Sequence, residues 1–414
     1  MQNNLTGGIC IIAGEASGDS QAALLIKSLK EEIKNRNLPE KNFWGACGPL
    51  MRHEGVENII SVEDLAAFGL VEIITQYPTI SNCYKKILNE IKIRKPEAVI
   101  LIDYPGFNLK LLQDVYALGN TAIYHIPPKA WSHGIGRTQI LKEYSHLVTS
   151  ILPFETNFFK EHGVNTFYAG NPLKDNVDKY IELNSLKKVP YKIGLLPGSR
   201  KSEIKRLLPL LIEAFILLFE KENRITGAIP IANTLEPNFV KKIAYDTALR
   251  LGFNKEWIDK YISFGVGNAY EVMATSSYAW VCSGTATLET AFFNTPMCVV
   301  YKVSPITSYI AKKLIFVKYV SLVNLTIDKE AIPEYLQTMA QPPNLVNHAL
   351  KIFNDHEYVN QILSDIKIVQ QAYPKNAGKN AANAILTCIE KYNIPNTNKF
   401  KLHKENWNQN EKGQ

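Results

Sequence analysis

No C-x-x-C pair occurs among the six cysteines, which stand far apart at positions 10, 47, 83, 282, 298 and 388. Neither a zinc site nor a disulfide framework is signalled, and buried free thiols are expected. There is no D-x-D pair, and the eight histidines do not cluster at ligand spacing. A metal-dependent reaction is therefore disfavoured. No G-x-G-x-x-G follows the first apolar run, which counts against a dinucleotide and an NAD oxidoreductase; no cofactor is expected. No apolar run reaches the length of a membrane span. The opening MQNNLTGGICIIAGEASGD lacks a basic n-region and meets Glu15 early, so it reads as no signal peptide. Lys plus Arg number 46 against 39 Asp plus Glu, a balance of +7 without any compact basic block. That excludes a nucleic-acid partner but suits an anionic ligand or an anionic membrane surface.

What is present is alternation. Short apolar runs alternate with longer amphipathic ones over 414 residues, the pattern of α/β domains with parallel sheets. Strands are expected at Ile9–Ala13, Glu97–Ile102, Thr121–His125 and Leu147–Ile151 in a first half. Lys192–Leu196, Thr226–Ile231, Ala279–Cys282 and Met297–Tyr301 are the strands of a second. Helices are expected at Gln21–Lys34, Leu207–Lys221 and Ala286–Asn294, and two more over His356–Tyr392, broken at Pro374 and Gly378. The polar stretch Asn171–Pro190 reads as the link. The division is then residues 1–180, 181–355, C-terminal helices 356–392, and a polar tail 393–414 expected to be disordered.

In open parallel sheets ligands sit beyond the carboxyl ends of the strands, and four such loops are unusual. AGEASGD places Gly14, Glu15, Ser17 and Asp19 after the first strand, two carboxylates and a hydroxyl suited to ligand hydroxyls. A plain turn with Ser17 capping and Asp19 in the first helical turn explains part of that pattern. ILIDYPGFN ends an apolar strand on Asp103. Burial there raises a carboxyl pKa and makes a general base, while a turn-capping Asp is an equal alternative. LLPGSR puts Gly198, Ser199 and Arg200 between strand and helix, with Lys201, Lys205 and Arg206 following: a phosphate turn, or a solvated basic helix start. SGTATLE opens another helix at Ser283, Gly284 and Thr285 directly after a strand. Glu289 lies one turn inside, within reach of a ribose diol or serving as an ordinary first-turn acid. His125 and His133 flank IPPKAWS and remain possible liners.

With GACGPLM, FGLVEI, LPFE and YVSLVNL in order among these loops, the chain resembles the lipid-A-disaccharide synthases from about Gly8 to about Tyr392. The resemblance implies the GT-B fold: two Rossmann-like domains facing across a cleft, an acceptor side and a UDP-donor side, with C-terminal helices crossing back. It implies an inverting, metal-independent transfer from UDP-diacylglucosamine to diacylglucosamine phosphate, giving a β-1,6 disaccharide and UDP for lipopolysaccharide. Asp103 then matches the base, Arg200 the arginine at the donor phosphates, Glu289 the nucleotide-binding glutamate and Asn324 a further donor-side position. The acylated substrates imply a cytoplasmic protein held peripherally at the anionic inner membrane; a homodimer is left open. Leu65, Phe68, Val71 and Ile73 within Asp64–Ile80 are expected as an exposed membrane patch, with an internal helix as the alternative. Lys129, His133, Lys201 and Asn171 depart from the family pattern. Rival readings are a UDP-sugar epimerase or hydrolase of the same fold, and a non-catalytic nucleotide-binding protein.

Overall fold

A computed structural model describes residues 7–65, 70–132, 134–303 and 318–393. These fall into two compact units, the first running to Pro172 and resuming at Pro374, the second spanning Leu173–Tyr373.

The first unit is built on β1 (Ile9–Ala13), β2 (Phe43–Cys47), β3 (Glu57–Ser61), β4 (Ala98–Ile102), β5 (Thr121–His125), β6 (Leu147–Ser150) and β7 (Thr166–Tyr168). They pair in the order β3-β2-β1-β4-β5-β6-β7, all parallel. Every residue of β1 and β4 is buried, as a sheet covered on both faces demands. Alternation sorts them. Ile9, Ile11 and Ala13 pack with Leu25, Ile26 and Leu29 of the helix Ala16–Asn35. Cys10 and Ile12 pack on the other face with Ile87, Ile91, Leu111 and Leu112.

The second unit uses β8 (Val189–Leu196), β9 (Thr226–Ile231), β10 (Ile262–Val266), β11 (Ser276–Cys282), β12 (Met297–Tyr301) and β13 (Glu334–Leu336). Their order is β10-β9-β8-β11-β12-β13. The helix Lys201–Phe219 buries Leu207, Leu208, Leu211 and Phe215, the stripe its 3.6-residue period announces.

Several boundaries move. The stretch read as the link carries the helix Pro172–Leu183, and the division falls at Pro172 rather than at 180. The C-terminal helices are not one block. His356–Gln371 stays with the second unit, whereas Ala377–Tyr392 lies in the first. There Ala381, Ile385, Leu386, Ile389 and Tyr392 complete the core beside the helix Ala16–Asn35 and over β5 and β6. Gly378 lies inside that helix rather than breaking it, and a Cβ there would stand 2.4 Å from Ser28 Oγ. The short strands β3, β7 and β13 escape the sequence pattern because they are only partly buried and lack a continuous apolar run. Leu65 is fully buried, so it belongs to no exposed patch. Phe68, the side chains of Val71 and Ile73, His133 and the tail 394–414 lie outside the described residues. Among the described residues no helix is long and apolar enough to cross a membrane.

Candidate active site

Both sheets reverse strand order once, between β1 and β4 in the first unit and between β8 and β11 in the second. At such switch points the loops diverge and leave room for a ligand. The four loops singled out in the sequence lie at these two places.

In the first unit Ala13 pairs with Ile102, so Gly14 and Asp103 leave the sheet side by side. Gly14 has to be small, because a Cβ would stand 2.0 Å from the Tyr104 ring. Asp103 and Tyr104 both have positive φ, 45° and 47°. Two consecutive non-glycine residues in the left-handed region cost on the order of 1–3 kcal/mol each and persist only where neighbours enforce them. Here they do. The Asp103 N–H donates to the His125 carbonyl at 3.0 Å. The Asp103 carbonyl accepts from Tyr124 Oη at 2.6 Å and Asn108 Nδ2 at 2.9 Å. Tyr104 Oη donates to the Leu65 carbonyl at 2.7 Å. Burial chiefly, then the Glu15 carboxylate, raises the Asp103 carboxyl above the usual range, against the Tyr104 N–H and the Lys129 ammonium.

Glu15, not Ser17, occupies the N-cap of the helix Ala16–Asn35; the exposed Ser17 hydroxyl donates to Glu15 Oε1 at 2.5 Å. Asp19 stands in the first turn of that helix, as expected, but its carboxylate is turned to the backbone of another segment. It is 2% exposed and accepts from the backbone N–H groups of Gly48, Leu50 and Met51 at 2.9, 2.9 and 3.1 Å. Its charge caps the next helix and is unavailable to a ligand hydroxyl.

Two further groups border this loop set. His125 is buried, its Nδ1 2.7 Å from Thr149 Oγ1, and burial drives its pKa down to about 4, so the ring is neutral. Glu155, in the LPFE segment but given no role there, is 3% exposed. Its Oε1 accepts from Trp131 Nε1 at 2.8 Å, and Oε2 has no side-chain partner among the described residues. Burial above all pushes this carboxyl up to about 8; nearby Asp103 adds to the rise, while Trp131 and Lys129 oppose it.

In the second unit Leu196 pairs with Val281, which brings the Pro197–Arg200 turn beside Ser283 and Gly284. Gly198 has φ 108°, and a Cβ there would meet Glu203 Oε2 at 2.3 Å. Glu203, like Glu155, is a residue the sequence reasoning missed. Its Oε2 accepts from the Ser199 and Arg200 backbone N–H groups at 2.9 and 3.1 Å, and its Oε1 from Arg200 Nη1 at 3.0 Å. The amides expected to face phosphate hold a carboxylate of their own chain. The signal was legible: an acid three residues after the N-cap is the capping-box spacing. The Arg200 side chain remains 80% exposed, and an ion pair so open to water holds it weakly.

Gly284 is exposed at φ 142° and forms the N-cap of the helix Thr285–Phe292 with no side-chain cap. Among the described residues nothing lies within 4 Å of the position a Cβ would take. Backbone N–H groups at such a terminus attract anions. One turn in, Glu289 Oε1 accepts from Tyr270 Oη at 2.9 Å, and burial raises its carboxyl despite that bond. Asn324 does not join them. It is fully buried, donating to the Ile332 carbonyl and Glu334 Oε1 at 2.9 Å each and accepting from the Ala331 and Ile332 N–H groups. Its amide holds the loop before β13 and has no group left for a donor.

The chain's similarity to known proteins agrees with this arrangement. A family model described as lipid-A-disaccharide synthetase matches residues 9–386. The lipid-A-disaccharide synthase of Sulfurihydrogenibium sp. (strain YO3AOP1) is 34% identical over 393 residues, covering 92% of this chain and 98% of the relative. Among solved structures, the UDP-GlcNAc 2-epimerase of Neisseria meningitidis bound to UDP-GlcNAc superposes with a TM-score of 0.57 at 10% identity, over 92% of this chain and 99% of the other. The calicheamicin glycosyltransferase CalG4 does so with a TM-score of 0.57 at 11% identity, over 94% and 100%. These likenesses establish the fold, two parallel-sheet α/β domains of the GT-B kind. With two switch-point sites on that fold and sequence identity over nearly its whole length, the chain belongs to the lipid-A-disaccharide synthase family.

Proposed function

We propose that the chain condenses UDP-2,3-diacylglucosamine with 2,3-diacylglucosamine 1-phosphate, giving the β-1,6-linked disaccharide phosphate and UDP by an inverting, metal-independent displacement. That it is a glycosyltransferase forming the lipid A disaccharide follows from its family. The observation that carries the finer reading is Asp103: a strained, partly buried carboxyl held above its ordinary pKa at the first switch point. Strain of this kind gathers at functional sites, and a base poised upward accepts a proton near neutral pH more readily.

The first unit takes the acceptor, with Glu15 and Ser17 turned to its hydroxyls. Asp103 removes the proton from the 6-hydroxyl as that oxygen attacks the anomeric carbon from the face opposite the leaving group, which inverts the centre. The second unit takes UDP. Negative charge grows on the diphosphate as the glycosyl bond breaks. Arg200 and the uncapped amides at Gly284 and Thr285 are preorganised donors for it, and Glu289 faces the ribose. For the Ser199 and Arg200 amides to join, Glu203 has to give way to the diphosphate. The acylated substrates call for work at a membrane surface, and the +7 balance favours an anionic one.

Incubation with both substrates and mass detection of a disaccharide phosphate tests the reaction. Full activity in a chelator and a loss of about 100-fold or more in Arg200→Ala are expected. Silencing by the chelator, or normal turnover by Arg200→Ala, overturns the charge-stabilisation scheme.

A further inference from the structure

The loop that follows β5 is fastened at nearly every point and leaves one cation standing out. β5 lies next to β4 with Ile102 opposite His125, so Ile126 leaves the sheet beside Asp103. Ile126 has φ 60°, a rare state for a β-branched residue. Pro127 and Pro128 follow, both buried, as are Ala130 and Ser132. The loop folds on itself, the Ser132 N–H donating to the Lys129 carbonyl at 3.1 Å. Trp131 ties it down through the 2.8 Å bond to Glu155 and an edge-on contact with Phe154, centroids 4.9 Å apart.

Glu155 is an expensive anchor. A carboxyl buried to 3% exposure costs stability through desolvation, and an apolar residue would pack there without that penalty. What the anchor preserves is the place of Lys129. That side chain is exposed and makes no hydrogen bond or ion pair among the described residues. Its charge is felt at both Asp103 and Glu155, yet it does not pair with either. An ammonium carried near the base on an anchored loop, but not bonded to it, is left for an anion carried by whatever Asp103 deprotonates. A sugar that offers its 6-hydroxyl to Asp103 carries its phosphate at the far end of the ring.

We propose that Lys129 binds the phosphate of the acceptor sugar, and that the Glu155–Trp131 hydrogen bond positions the loop that carries it. This rests on the acceptor assignment above and adds which side chain recognises the anionic end. It also gives a use to a lysine that stands where the family pattern has a glutamine. The test is steady-state kinetics with the phosphorylated acceptor and with the same acceptor lacking its phosphate. For Lys129→Gln the KM of the phosphorylated acceptor rises about tenfold, the worth of one charge-assisted contact. The donor KM and the thermal transition stay in place, and Lys129→Arg restores the acceptor KM. With the dephosphorylated acceptor, wild type and Lys129→Gln have the same kcat/KM. Trp131→Phe, which keeps the ring and drops the N–H, raises the same KM, and its effect does not add to that of Lys129→Gln. An unchanged acceptor KM in Lys129→Gln, or an equal defect on both acceptors, overturns the inference while leaving the reaction standing. Failure of the wild type to form any disaccharide overturns the reaction and the inference together.

Discussion

Asp103 and Glu155 are two carboxyls raised by burial in the same unit, but they differ in access. Asp103 is only partly buried and, as proposed, meets the acceptor; Glu155 is sealed beneath Trp131. Asp103→Asn keeps the shape and removes the base, so turnover falls by about 100-fold or more while UDP affinity, measured by titration calorimetry, is unchanged. Glu155 makes a different prediction. Its folded pKa of about 8 lies above the ordinary 4.5. Unfolded chains therefore lose this proton first. The stabilising contribution is complete below pH 4.5 and is lost as pH rises through 8. His125 has the opposite sign: lowered from 6.5 to about 4, it supports the fold above pH 6.5 and loses that support as pH falls through 4. The two oppose each other in mild acid, and Glu155 prevails between pH 6.5 and 8. Glu155→Gln keeps an acceptor for Trp131 without a charge to bury. Denaturant melts at several pH values are expected to show it more stable than wild type at pH 8, by on the order of 1–3 kcal/mol, with a flatter profile above pH 6.5.

At the scale of an element, the turn before the helix Lys201–Phe219 shows how a local rule and a binding site share the same amides. Glu203 supplies the carboxylate half of a capping box, accepting from the Ser199 and Arg200 amides that would otherwise point into solvent. An arriving diphosphate competes with it and brings more negative charge to the same helix end. Gly198 permits this turn through its φ of 108° and through the space Glu203 needs. Gly198→Ala is expected to cost about 1–3 kcal/mol in the second unit and to weaken UDP binding several-fold. Calorimetry with UDP checks the second effect, and a melt in its absence checks the first.

For the whole molecule, the consequential feature is the return of the chain at Pro374. Residues that are distant in sequence finish the first core: Ile385 and Ile389 lie in one cluster with Ile9, Ile11 and Ile26. Arg36 reaches the same helix through Asn383 Oδ1 at 2.8 Å. The first unit is thus incomplete until the C-terminal segment is available. Ile385→Ala opens a cavity in this cluster, on the side of β5 and β6, and is expected to cost about 2–5 kcal/mol. Hydrogen exchange should then show β5 and β6 losing protection while β8 and β11 keep theirs.

The apolar runs alone were enough to locate most central strands, because a parallel sheet covered on both faces needs continuous hydrophobic sequence; β1, β5 and β9 agree with expectation to the residue. They also marked the loops at the strand ends, since Gly, Asp and Arg stand out where such runs stop. Local pattern did not reveal what each side chain does with its polar atoms. Asp19 and Asn324 carry the residue types of a binding site, yet both are consumed by backbone amides brought near only by folding. Glu155 drew no attention, because its meaning lies in a tryptophan 24 positions away; Glu203, also missed, is the exception, its turn lying three positions back at a spacing the sequence does show. Periodicity records which face of an element is dry. Hydrogen-bond partnership and desolvation depend on neighbours supplied by the tertiary structure, and these decided which of the expected groups remain available for chemistry.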